Sequence, residues 1–118
     1  MTEQEMKART KAFALRVIRL TEAMPAKRSA DVIASQLLRS GTAVGANYRA
    51  ARRARSTAEF ISRLSVVEEE ADESSYWMEL LVESELVPLA RLKALIDECD
   101  EITRIIVATI RSAKRRRA

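Results

Sequence analysis

The sequence predicts an all-α protein, folded as an antiparallel up-down-up-down four-helix bundle. Glycine and proline are scarce, two of each in 118 residues, whereas sheets joined by tight turns need them. Four stretches repeat apolar residues every three or four positions, the period of an amphipathic helix. The breaks between these stretches are short, as antiparallel neighbours in a bundle require. The helices are predicted over 5–24, 29–54, 57–83 and 88–114 within one domain, 1–118. A chain of this size can bury a core without disulfides or metal.

The first helix presents Phe13, Val17, Leu20 and Met24, with Ile18 widening the stripe, and Pro25 stops it. Ala26, Lys27 and Arg28 make the connection, and Ser29 is the predicted N-cap of the second helix. That helix continues the stripe through Ile33, Leu37, Ser40, Val44, Tyr48 and Ala51, with Gly41, Gly45 and Ala46 beside it. A helical glycine costs about 1 kcal/mol relative to alanine, so two here point to close packing of a neighbouring helix. In so polar a helix the G-x-x-x-G spacing carries no membrane meaning.

Ser56 and Glu59 form the S-x-x-E capping-box pattern of the third helix. Its stripe is Phe60, Leu64, Val67, Ala71, Ser74, Met78 and Leu81. A second line, Ile61, Glu68, Ser75 and Val82, mixes apolar, acidic and small residues and is the candidate subunit contact. Pro88 is tolerated at the first position of the last helix. That helix presents Leu92, Leu95, Ile96, Cys99, Ile102, Ile106 and Ile110 and ends in Lys114, Arg115, Arg116 and Arg117. Cations suit a helix C-terminus, and such a tail is most simply a solvated end.

Several chemistries have no residues to carry them. The sequence has no histidine and one cysteine, so imidazole catalysis and an intrachain disulfide are excluded. That cysteine usage fits a reducing compartment, and the expected location is the cytoplasm. No apolar run approaches the ~20 residues of a membrane helix, and the opening MTEQEMKARTK lacks a signal peptide's apolar segment. Neither G-x-S-x-G nor G-x-x-x-x-G-K-[ST] is present. The acidic run EEEADE at 68–73 has no Glu-x-x-His partner on another helix, so no metal site and no cofactor are predicted. Cys99 lies on the core line and reads as a small buried hydrophobe. The chain is expected to be non-enzymatic.

Charge is more informative in its distribution than in its net value of +4. Residues 27–55 carry seven basic groups and one acidic, and residues 56–86 carry one basic and nine acidic. Two such segments are expected to face each other, within a subunit or between subunits. The candidate basic patch comprises Arg39, Arg49, Arg52, Arg53 and Arg55, with Lys114, Arg115, Arg116 and Arg117. Its arginines fit carboxylates, with Glu59 within easy reach and Glu68 to Glu73 further along the rod. They equally fit phosphate, which the planar guanidinium fork recognises. Tyr48 reads as core, and Tyr76 and Trp77 are helical neighbours that do not form a stacking platform.

Ala46-Asn47-Tyr48 followed by RSTAEF at 55–60 resembles a known four-helix-bundle family. Its proteins are encoded in the intervening sequences of bacterial 23S ribosomal RNA genes. Gln36, Leu37, Arg39, Ser40 and Gly41 match the pattern upstream. Phe13, Val17, Leu20 and Pro25 match the opening, and Leu64, Glu68 to Glu70, Glu79 and Leu80 extend it. The resemblance spans nearly the whole chain. It implies an up-down bundle assembled as a homopentameric ring, with no catalytic residues. The family is similar to the accessory protein of diversity-generating retroelements, a basic pentamer that works with a reverse transcriptase and nucleic acid. Many members carry glutamate and glycine after the A-N motif, ending helix 2; Ala50 and Ala51 stand here, so helix 2 is expected to run on. The expected function is a homo-oligomeric interaction module of unestablished role. A nucleic-acid-binding accessory protein is the alternative. RNA, DNA or a protein stay open as partners, and a membrane is not expected.

Overall fold

The computed structural model describes residues 1–117; Ala118, the last residue of the predicted domain, lies outside the described residues. Four helices follow in order: α1 (Glu3–Glu22), α2 (Arg28–Arg52), α3 (Thr57–Glu83) and α4 (Leu89–Arg117). Each packs on the next in sequence, making an up-down-up-down bundle, while α1 meets α4 only sparsely. The result is a rod of 50 × 20 × 20 Å.

The helix ends differ from the sequence expectation in instructive ways. Thr2 caps α1 with a full capping box: its hydroxyl accepts from Glu5 N–H and the Glu5 carboxylate accepts from Thr2 N–H. The helix therefore starts two residues before the predicted position 5, on a T-x-x-E pattern visible in the sequence. Ser29 does not cap α2. Lys27 holds that position without a side-chain bond, and Asp31 N–H already bonds Lys27 carbonyl at 3.0 Å, placing Ser29 inside the first turn. Ser56 Oγ accepts from Glu59 N–H at 3.1 Å, but the Glu59 carboxylate reaches Arg55 N–H at 2.9 Å, one residue further back than a capping box requires.

α2 does run past Ala50 and Ala51 and stops at Arg52. α3 closes through Glu85, whose φ of 64° lies in the left-handed region. Leu86 N–H bonds Leu81 carbonyl and Glu85 N–H bonds Val82 carbonyl, the paired bonds of a Schellman closure. Leu86 then packs against the core, fixing the exit of the chain. α4 begins one residue beyond Pro88 and runs to Arg117.

The core is a column of Phe13, Val17, Leu37, Val44, Leu64, Val67, Met78, Leu92, Ile102 and Ile106. Two serines are buried within it, and their hydroxyls, Ser40 and Ser74, lie 2.9 Å apart. Ser74 Oγ also lies 2.9 Å from Glu70 carbonyl, so the pair is anchored to helix backbone. The glycines of α2 sit where α1 comes closest. A Cβ at Gly41 would stand 2.9 Å from Val17 Cγ2, and one at Gly45 would stand 3.2 Å from Thr10 Oγ1. Cys99 is buried with Sγ 3.2 Å from Ala71 carbonyl, and burial pushes its thiol up to about 12.

Candidate functional site

The arginines of α2 divide into engaged and free groups. Arg39 faces α3 and binds both Glu70, at 3.2 Å, and Glu73. Its guanidinium holds the Glu73 carboxyl below the usual carboxylate range. The acidic run thus finds its basic neighbour near the middle of α2, not at the arginine-rich end. Arg52 faces α1, where Nε lies 2.9 Å from Glu3, and its guanidinium sits 5.1 Å from the Phe60 ring centroid. Lys7 and Arg52 together lower the Glu3 carboxyl.

Arg49 and Arg53 are exposed and make no ion pair among the described residues. One helical turn apart, they form one wall of an open cleft between α1 and α2, of about 400 Å³. Lys7 and Lys11, also one turn apart, form the opposite wall. Small residues make the floor: Ala14, Thr42, Gly45 and Ala46. Ala46 is exposed here, so its small side chain shapes the cleft while Gly41 and Gly45 set the helix spacing.

A second cleft of about 400 Å³ opens between α2 and α3 and is lined by Ala50, Arg53, Arg55, Glu59 and Arg63. Arg53 belongs to both. Arg63 pairs with Glu59 at 3.0 Å, and Arg55 and Arg63 together lower the Glu59 carboxyl, the Arg55 N–H bond being the larger cause. The α4 tail reaches the same end of the rod, where Arg116 adjoins Arg52, Arg55, Ser56 and Phe60. Lys114, Arg115 and Arg117 are exposed beside it. Of the predicted patch, the structure brings Arg49, Arg52, Arg53, Arg55 and Arg116 to one end of the rod, while Arg39 lies apart beside Glu70 and Glu73.

Lys7 and Lys11 are missing from the sequence-derived patch. Their i,i+4 spacing on the flank of α1 next to the apolar stripe was the available signal. A further ion pair, Arg9 to Glu98 at 2.7 Å, ties α1 to α4 across the sparse seam. It lowers the Glu98 carboxyl against the opposing effect of burial.

The line Ile61, Glu68, Ser75 and Val82 does not stand clear of the bundle. Ile61 is buried and Val82 packs against the core, with Glu68 and Ser75 half-buried, because this flank of α3 turns toward α4. The large apolar residues that α3 leaves exposed are Val66 and Tyr76; α1 leaves Leu15, and α2 leaves Val32 and Leu38. Among the described residues no three His, Cys, Asp or Glu side chains group as metal ligands. No helix of the described residues is long and apolar enough to cross a membrane.

These features define an all-α bundle, cationic at one end, with no constellation of catalytic groups among its described residues. The chain belongs to the 23S rRNA-intervening sequence protein family, whose pattern matches residues 2–108. It is similar to a crystal structure of a protein of unknown function from the S23 ribosomal protein family of Bacteroides thetaiotaomicron VPI-5482. The two share 32% identity and a TM-score of 0.87, over 94% of this chain and 99% of that chain. Among curated proteins, none matches.

Proposed function

We propose that the chain is a non-enzymatic assembly module that associates with copies of itself. The observation that carries this is a pair of exposed apolar faces with opposite charge. On one side, Leu15, Leu38 and the half-buried Ile18 surround the Val17–Gly41 approach of α1 and α2. This face adjoins Lys11 and Arg49. On the other, Val66 and Tyr76 sit on α3, which carries eight of the chain's 17 acidic groups. Unlike faces that complement each other generate head-to-tail contacts, which close into rings when the rotation permits. The homopentamer implied by the family resemblance is such a ring. Replacing Leu38 and Tyr76 separately by glutamate tests the reading by light-scattering mass. Each variant is expected to stay folded and fall to a monomer; wild-type protein that is itself monomeric at micromolar concentration would refute it.

The cationic end favours a second reading, an accessory protein that binds RNA or DNA beside a polymerase or ribosomal RNA element. Unpaired arginines and lysines at one pole supply the sequence-independent attraction on which such binding rests. The chain is expected to retard an oligonucleotide at low salt and release it at high salt. An oligonucleotide whose mobility is unchanged at 50 mM salt would refute it.

A further inference from the structure

We infer that the α1–α2 cleft is a seat for the phosphodiester backbone of a nucleic-acid strand, which passes by way of Arg53 into the α2–α3 cleft. This rests on the nucleic-acid reading and adds where the strand lies and which atoms hold it. The cleft sets Lys7 and Lys11 against Arg49 and Arg53, over a floor with no side chain larger than threonine. Three of these four cations, Lys11, Arg49 and Arg53, have no carboxylate partner among the described residues. Like charges held this close repel, and an anion between the walls would offset that.

Compensation of helix dipoles accounts for only half of the arrangement. Arg49 and Arg53 stand at the C-terminal end of α2, where cations are favoured, but Lys7 and Lys11 stand in the N-terminal half of α1, where they are not. The ligand is a chain of phosphates because the cations extend beyond one cleft: Arg53 is shared, and Arg55 and Arg63 continue the track. Neither cleft offers a large apolar side chain, the anchor that a protein partner ordinarily buries. Neither offers an aromatic ring, so bases are not stacked there and the contact is to backbone alone. Binding is therefore indifferent to sequence and steeply dependent on salt.

The test is fluorescence anisotropy of a labelled single-stranded oligonucleotide of mixed sequence, titrated at several salt concentrations. Two triple variants remove the same charge. Lys11→Gln, Arg49→Gln and Arg53→Gln remove the three wall cations that have no carboxylate partner among the described residues. Arg16→Gln, Arg19→Gln and Arg91→Gln remove three arginines that share a depression at the far end of the rod. The cleft variant is expected to bind at least tenfold more weakly, with the log–log salt slope reduced by ~2, given ~0.7 per lost single-strand phosphate contact. The far-end variant is expected to bind within about twofold of wild type. Equal losses in both variants would overturn the placement in favour of net charge, and an undiminished cleft variant would overturn it outright while leaving the nucleic-acid reading intact. Wild-type protein that binds no oligonucleotide would overturn both. Competition by submillimolar inorganic phosphate, or polyglutamate binding as tightly as the oligonucleotide, would overturn the strand assignment in favour of a free anion or an acidic protein.

Discussion

Two stretches of α2 bear arginine, and their surroundings differ completely. Around Arg39 the groups that face α1 and α3 are engaged: the guanidinium spans Glu70 and Glu73, Ser40 meets Ser74, and Gly41 lies against Val17. Around Arg49 and Arg53 the helix faces an open cleft; Glu3 is taken by Lys7 and Arg52, and Glu59 by Arg63. The same residue type on one helix thus serves register in one place and remains available in another. What separates them is the element opposite: α3 brings its acidic run beside Arg39, while the N-terminal half of α1 brings lysines beside Arg49.

The engaged stretch is where substitution should hurt most. Gly41→Leu forces a branched side chain where a single added carbon already meets Val17 at 2.9 Å. It is expected to cost ~3 kcal/mol or more in chemical denaturation, at the upper end of overpacking effects. Gly45→Leu is expected to cost less, since the Thr10 contact is looser at 3.2 Å. Equal tolerance of leucine at both positions would erase the distinction between the stretches.

The next effect lies at the α1–α4 seam. Glu98 is ionised more readily than an ordinary carboxylate because Arg9 bonds it. A lowered carboxyl pKa contributes stability that is fully present above the unfolded value and is lost as pH falls through the folded one. Glu98→Gln is therefore expected to cost about 1 kcal/mol at pH 7. The variant and wild type should converge as pH falls below the ordinary carboxylate range and through the lowered folded value, and a difference that persists once Glu98 is protonated would show the loss to be packing.

Smallest are the surface arginines themselves. Arg39→Gln is expected to lower the melting temperature slightly at low salt and not at all in 1 M salt, because exposed ion pairs are screened. Arg53→Gln is expected to leave the melting temperature unchanged or to raise it slightly. If Arg53→Gln destabilises the protein more than Arg39→Gln, Arg53 is structural and the contrast between the stretches fails.

The bundle was legible because the apolar period and the scarcity of glycine and proline leave little else for this chain to do. Helix ends were less so. Ser29 looks like a cap by residue type, yet the backbone of Lys27 starts the helix first, and Thr2 caps through a pattern shared with Ser56. Close approach at Gly41 and Gly45 follows from their cost in a helix, since nothing but packing offsets it. The site was half legible. The arginine run is obvious in the sequence, but which arginines stay free depends on register between helices, which periodicity does not specify. For the same reason Lys7 and Lys11 gained meaning only once α1 lay beside α2. The flank bearing Ile61 and Val82 shows the same limit, because a line beside a core stripe can turn inward toward α4 as readily as outward.

Absolute mass by light scattering during size-exclusion chromatography, at low and high salt and with and without a single-stranded RNA, addresses the central claim directly. The account predicts an integral multiple of the chain mass at both salts, with RNA co-eluting at low salt and released at high salt. A monomer whose mass and elution the RNA does not change would contradict both self-association and the cationic seat.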